Sequence, residues 1–109
     1  MAQNFRRFIA RNTGTSPATI FTADSYDTII GIRCANVHAS STANIDVYIN
    51  DSSNDYYLIK TAPVPVGGSI ELIDGGAKIV VDSGDVLKIV SSVASSIDTW
   101  VSVVDAIST

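Results

Sequence analysis

The sequence predicts an all-β protein: a single antiparallel two-sheet sandwich or jelly roll of about eight short strands, with an extended N-terminal arm. Valine and isoleucine far outnumber leucine, which favours strands over helices. Turn residues recur at intervals of roughly ten residues, and no segment shows an apolar stripe of helical period. With 109 residues, 46% of them hydrophobic and 17% charged, the chain fits one globular domain with a single core.

Residues 1–12 are expected to form an extended arm or a first edge strand, and residues 13–109 the sandwich domain. A turn over residues 14–17 separates the two, because proline at position 17 favours extended geometry in the residue before it. The alternation of apolar and polar residues predicts strands over residues 18–22, 28–37, 45–50, 56–60, 69–73, 78–81, 86–91 and 97–105.

Alternation also assigns side chains to the two faces of each strand. In the second long strand, Ile30, Ile32 and Cys34 are expected to share the buried face. The strand over residues 45–50 is expected to point Ile45, Val47 and Ile49 inward and Asp46, Tyr48 and Asn50 outward. It is expected to form a hairpin with residues 56–60 across a polar turn. Trp100 alternates with polar Ser102 and is expected in the core.

Two further segments define edges and turns. Pro63 and Pro65 lack N–H donors, so this segment is predicted to be a sheet edge or a crossing connection. Residues 69–73 are predicted to pair with residues 78–81 through a tight turn at residues 74–76.

Catalysis and metal binding find no support in the pattern. Because Cys34 is the single cysteine, an intrachain disulfide is excluded. We expect Cys34 to be a small, buried hydrophobic residue. His38, the single histidine, lies in a polar turn without a nucleophile motif and is read as surface. The aspartates around residues 51–55 and 82–85 are typical of turns and lack calcium-loop spacing. We therefore expect no enzyme activity, cofactor or metal.

Charge is distributed unevenly along the chain. The net charge is −4, with +2 before residue 46 and −6 from Asp46 onward. The basic part includes the cluster of Arg6, Arg7 and Arg11. A basic head on an acidic body suggests that the first dozen residues contact something acidic, and self-association would satisfy this. Nucleic acid is not the expected partner, because the arginines lack aromatic platforms on strands.

The tyrosines leave two alternatives open. Tyr48 and one of Tyr56 or Tyr57 are expected to face outward across the hairpin, where aromatic pairs support sheets. The other interpretation is an exposed tyrosine patch for a protein partner or a sugar, since tyrosine is favoured at interfaces.

The whole chain resembles a group of small β-sandwich virion structural proteins of tailed bacteriophages, especially marine and cyanobacterial phages. The matching segments are residues 4–7, 11–16, 29–32, 35–36, 45–49, 56–69, 84–88, 91–92 and 94–96. They are fold-forming residues without a chemical signature, so the resemblance implies a non-enzymatic part of a particle.

Within that resemblance, a capsid decoration (cement) protein is the first expectation, and a neck, tail or fibre-attachment component the alternative. A glycan-binding module is a third. The chain is expected to be made in the host bacterial cytoplasm, without a secretory signal or membrane segment, and to reside in the virion. Other virion proteins are the expected partners, and the chain is expected to form a homo-oligomer, with a trimer considered. The partner-binding residues proposed are Phe5, Arg6, Arg7, Phe8, Arg11, Tyr48 and Tyr56.

Overall fold

The computed structural model describes residues 4–24, 27–73 and 78–105, and these ranges contain nine strands and no helix. The strands are β1 (Asn4–Thr13), β2 (Ala18–Thr22), β3 (Asp27–Asn36), β4 (Ala43–Asn50), β5 (Asp55–Val64), β6 (Ser69–Glu71), β7 (Ile79–Val81), β8 (Val86–Ser91) and β9 (Ile97–Asp105). They pair antiparallel in two sheets, which confirms the predicted all-β sandwich.

The strand order identifies the topology. Sheet A has the order β1-β9-β3-β6, with β7 also paired to β3, and sheet B has the order β2-β8-β4-β5. The chain therefore forms a long antiparallel ribbon, in which β1 pairs with β9, β2 with β8, β3 with β6 and β7, and β4 with β5. Wrapping such a ribbon into two sheets gives a jelly roll, so the alternative left open by the sequence is resolved.

The predicted hairpin between residues 69–73 and 78–81 is wrong. β6 and β7 pair with different parts of β3: Ile70 lies opposite Cys34, whereas Val80 lies opposite Thr28. The two short strands thus follow one another along the same edge of β3. Alternation cannot distinguish this arrangement from a hairpin, because either one buries the same face of each strand. The predicted turn at residues 74–76 lies outside the described residues.

A β-bulge in β3 changes which isoleucines enter the core. The register against β9 shifts between Ile29 and Gly31. As a result Ile29 and Ile32 are both completely buried, whereas Ile30 is only half-buried. The expectation that Ile30 shares the buried face with Ile32 and Cys34 is therefore wrong for Ile30, because strict alternation does not continue through a bulge.

The core lies between the sheets and is built mainly from β-branched side chains. Sheet A contributes the buried faces of β3 and β9, and sheet B those of β4 and β8, as the alternating burial of these strands shows. The largest completely or almost completely buried aliphatic side chains are Ile29, Ile32, Ile45, Leu87, Ile89, Ile97, Val47, Val64, Val101 and Val103. Burial of this apolar surface is the main driving force for the fold.

Asn36 organises one end of the sandwich, where β3 leaves sheet A. Its Nδ2 donates to the carbonyl oxygens of Val64, at 2.8 Å, and Ser41, at 2.9 Å. Its Oδ1 accepts a bond from the N–H of His38 at 2.8 Å. One buried side chain thereby connects the end of β3, the loop that follows it and the end of β5.

The edge of sheet B agrees with the proline prediction. β5 is an edge strand, and Pro63 lies within it, opposite Asn44 of β4. Because an edge strand has one side without a ladder partner, a residue without an N–H is tolerated there. β5 continues to Val64, beyond the predicted residues 56–60, and register shifts against β4 accompany this length.

Candidate docking surface

The outer face of sheet A carries large exposed apolar side chains. In β9, Thr99, Val101 and Val103 are buried, so the intervening residues point away from sheet B. Phe5 on β1, Trp100 on β9 and Val80 on β7 are 73%, 52% and 69% exposed. Large apolar side chains exposed on one face of a sheet are typical of interaction sites in otherwise well-packed domains.

Trp100 is the main correction to the predicted site. The expectation that it lies in the core is wrong, because half of its surface is exposed on the outer face of sheet A. The alternation of side chains along β9 was predicted, but the side that carries Trp100 was taken for the buried side. The two valines Val101 and Val103 are the ones that reach the core. Their β-branched side chains fit a buried sheet face, and this was the signal in the sequence for the other assignment.

Trp100 lies at the centre of a row of side chains across three strands. Its backbone partners are Ile9 on β1 and Arg33 on β3, so all three side chains lie side by side on the outer face. Arg7, two residues before Ile9 on the same face, places its guanidinium carbon 5.3 Å from the centroid of the Trp100 ring. This is a cation–π distance, and it fixes an arginine beside the exposed indole.

An apolar cavity of about 470 Å³ opens beside this row. Its lining consists of Ile9, Ala10, Arg11, Arg33, Ala35, Asp98, Thr99 and Trp100. The charged groups at its rim are partly held in place: Arg33 Nε lies 3.7 Å from Glu71 Oε1, and Asp98 Oδ1 accepts a 2.8 Å bond from the N–H of Asn12. The cavity therefore combines a mainly apolar lining with a rim that carries both charges, Arg11 and Arg33 beside Asp98. Its size lies within the range of about 300–1,000 Å³ usual for binding pockets.

The opposite face of β1 attaches this strand to sheet B. Phe8 is half-buried and stacks on Phe21 of β2, with ring centroids 4.5 Å apart and an interplanar angle of 16°. The guanidinium carbon of Arg6 lies 5.1 Å from the centroid of the Phe8 ring. Of the residues proposed from the sequence, the structure therefore places Phe5, Arg7 and Arg11 on the outer face and gives Phe8 an internal packing role.

The predicted tyrosine hairpin is present, and one of its tyrosines is covered by the other. Tyr48 pairs with Tyr57 across β4 and β5, with ring centroids 5.0 Å apart, so the predicted aromatic pair is present. Tyr48 is not part of the core cluster to which Ile45, Val47 and Ile49 belong, and its ring lies against Tyr57 on the outer side of sheet B, so that only 7% of the residue is exposed. Burial, followed by the nearby negative charge of Asp55, raises the pKa of Tyr48. Tyr56, which precedes Tyr57, is 54% exposed.

The end of the sandwich at which β3 begins is acidic. Asp55 lies opposite Asn50, which in turn lies opposite Val86, so the turns over residues 51–54 and 82–85 are neighbours. Asp51 Oδ1 accepts bonds from the N–H groups of Asn54 and Ser53, which lower the pKa of Asp51. These are the turn-stabilising bonds expected of such aspartates. Within the described ranges, no group of three or more histidine, cysteine or acidic side chains is arranged to hold a metal.

Cys34 is completely buried, as the sequence predicts. Burial raises the pKa of its thiol to about 11, and a 3.9 Å hydrogen bond from Thr99 Oγ1 to Sγ opposes part of this effect. His38 is partly buried, and its Nδ1 accepts bonds from the N–H groups of Ser40 and Ser41 at 3.1 Å. Neither residue has an arrangement that would support nucleophilic catalysis.

The burial of Cys34 leads to a testable prediction. We expect the folded protein not to react with a thiol reagent at about pH 8, and to react stoichiometrically once guanidinium unfolds it. Since the folded pKa of about 11 exceeds the ordinary thiol pKa of 9.0, the thiol keeps its proton to higher pH in the folded chain than in the unfolded chain. Stability should therefore fall as the pH rises from 9.0 to about 11. Rapid labelling of the folded protein would contradict the assignment.

Comparisons with known proteins agree with this architecture. No protein-family model matches the chain, and no curated protein sequence matches it. Among solved structures, the chain is similar to the crystal structure of a pentameric capsid protein isolated from metagenomic phage sequences, with a TM-score of 0.52 and 18% identity. The match covers 94% of this chain and 60% of that protein, so this chain spans about 60% of its length. Likeness at this identity shows a shared β fold. In the part of the chain that the structure describes, no helix could cross a membrane.

Proposed function

We propose that this protein is a non-enzymatic structural component of a bacteriophage virion, namely a capsid decoration protein that docks on the shell and forms a homo-oligomer. The observation that supports this most directly is the fold, because the jelly roll of this chain is structurally similar to a pentameric capsid protein from metagenomic phage sequences. The resemblance of the sequence to small phage virion proteins points the same way. Jelly rolls occur in viral capsid domains and in lectins, so the fold alone leaves the role open.

A second line of support is the candidate docking surface, which is the outer face of sheet A around Trp100. Its exposed residues Trp100, Arg7 and Arg33 are of the types most enriched at protein interfaces. The surface lies on strands and not on long loops, which suits a rigid contact between preformed parts. Docking through sheet A therefore refines the expectation from the sequence, which emphasised the arm alone.

A neck, tail or fibre-attachment component is the second candidate, and the edge strand β1 favours it. β1 is ten residues long and lies at the edge of sheet A, with β9 as its ladder partner. A strand at an edge can accept a further strand from a neighbouring protein. A glycan-binding role at Tyr48 has less support, because that ring is buried.

Immunogold labelling of purified phage particles with an antibody to this chain distinguishes the two placements. A decoration protein gives label over the whole head. Label confined to the neck or tail would replace decoration by the second candidate. Particles that bind no gold, although antibody detects the chain in a blot of the same dissociated particles, would indicate a buried position. Particles that lack the chain in both assays would contradict a virion role altogether.

A further inference from the structure

We infer that the basic, Trp100-containing face of sheet A binds the acidic end of a second copy of the same chain, so that copies join head to tail. The inference rests on the proposed function in one respect, because it specifies how the proposed homo-oligomer is assembled. It depends on three observations: the shape of the cavity, the charge of each surface and the position of the two surfaces in the fold.

The cavity requires an apolar occupant of moderate size. The apolar part of its lining is Ile9, Ala10, Ala35 and Trp100, and its volume is about 470 Å³. The acidic end presents several exposed aromatic residues, and Tyr56, at the start of β5, lies directly beside Asp55. An exposed tyrosine that enters a pocket beside a tryptophan is typical of the anchors that dominate interface energies.

The charges around these two features are opposite. On the cavity side, the three arginines Arg7, Arg11 and Arg33 outnumber two acidic residues, Asp98 at the rim and Glu71, which pairs with Arg33. This side therefore carries a net positive charge. On the other surface, Asp51 and Asp55 flank Tyr56, and the turn that contains Asp82 and Asp85 lies beside them.

Complementary charges of this kind determine orientation and partner choice more than total affinity. A contact between two identical faces of sheet A would instead bring arginines together. The charge pattern therefore favours a face-to-end contact over a symmetric one.

The two surfaces lie toward different ends of the sandwich. The acidic turns lie near the beginning of β3, because Ala23, shortly before that strand, donates a hydrogen bond to Asp85. The cavity instead lies beside the later β3 residues Arg33 and Ala35. At about 3.3 Å per residue, six residues of β3 separate the two levels by roughly 20 Å. One copy can therefore use both surfaces at once, and a head-to-tail contact of this type closes into a ring when the rotation between copies permits.

Paired charge reversals test the inference. The face variant Arg7→Glu/Arg11→Glu and the end variant Asp55→Lys/Asp82→Lys should each lose self-association. Their combination in one chain exchanges both charges and should restore it. Lys60→Glu/Lys88→Glu, on the outer face of sheet B, changes net charge as the face variant does and should associate like the wild type. Tyr56→Ala should weaken association roughly 30-fold, as expected for an interface anchor.

Native mass spectrometry and sedimentation measure the association, and circular dichroism confirms that each variant is folded. Wild-type oligomers should dissociate as salt rises from about 0.05 to 0.5 M, because exposed charges are screened. A wild type that remains monomeric, a face variant that associates normally, or a combined variant that stays dissociated would each overturn the inference. None of these results affects the labelling of particles, which tests the virion role separately.

Discussion

Replacement of Ile32 by alanine should destabilise the protein by about 3 kcal/mol and lower its melting temperature by roughly 12–24 °C. Ile32 is completely buried on β3, which lies between β9 and the short strands of sheet A. The substitution removes apolar atoms from a position where the surrounding sheets cannot collapse freely, so a cavity term adds to the lost burial. Guanidinium unfolding followed by circular dichroism gives the free energy of unfolding directly.

Val80→Ala is the matched control for this experiment. Val80 is also an aliphatic residue in sheet A, but it is 69% exposed, so its truncation should change stability by less than about 0.5 kcal/mol. Equal effects of the two substitutions would contradict the assignment of the core to the space between the sheets.

Replacement of Asn36 by alanine should cost a similar amount, about 2–4 kcal/mol, for a different reason. The substitution leaves the buried carbonyl oxygen of Val64 without its side-chain donor and removes the bonds to Ser41 and His38. An unpaired polar group in the interior incurs its full desolvation cost. Thermal unfolding with a chemical-denaturant series measures the loss.

Two further variants identify the cause of that loss. Asn36→Asp keeps the size of the side chain and an acceptor for His38, but it places a carboxylate against two carbonyl oxygens, so we expect a comparable destabilisation. Asn54→Ala removes an exposed asparagine from a turn and should have an effect below about 0.5 kcal/mol. Wild-type stability in Asn36→Asp would show that the donated bonds contribute little.

The sequence predicted individual strands well because their causes are local. Alternation over residues 45–50 correctly assigned Ile45, Val47 and Ile49 to the core, and the polar turn after Asn50 correctly indicated a hairpin. Pro63 likewise marked an edge strand through the absence of its N–H, a property of the residue itself.

The pairing of distant strands could not be predicted in the same way. β9 lies between β1 and β3, and nothing in the local pattern of any of the three indicates this neighbour. The same limitation explains the incorrect hairpin between residues 69–73 and 78–81. Two short strands that both pair with β3 show the same alternation of side chains as two strands that pair with each other. Bulges add a further difficulty, because they depend on tertiary context.

The candidate site was predicted only in part. The basic segment at the start of the chain suggested Arg7 and Arg11, which do border the cavity or its tryptophan. The register between β3 and β9 brings three further residues to the cavity, Arg33, Ala35 and Trp100, and this register could not be predicted from the local sequence. The outward direction of Tyr48 followed from alternation, but its low exposure did not, because it depends on Tyr57 of the adjacent strand covering the ring.

The pairing of β1 with β9 has a consequence for synthesis on the ribosome. Phe8 and Ile9 reach their places in sheet A only when Val101 and Trp100 have been translated, more than 90 residues later. At typical elongation rates of about 5–20 residues per second, β1 must wait roughly 5–20 s for its partner strand. During that interval the nascent chain holds an unpaired, aromatic-rich segment. Such a segment is a natural target for chaperones, and fast production of many copies in one cell would increase the demand for them.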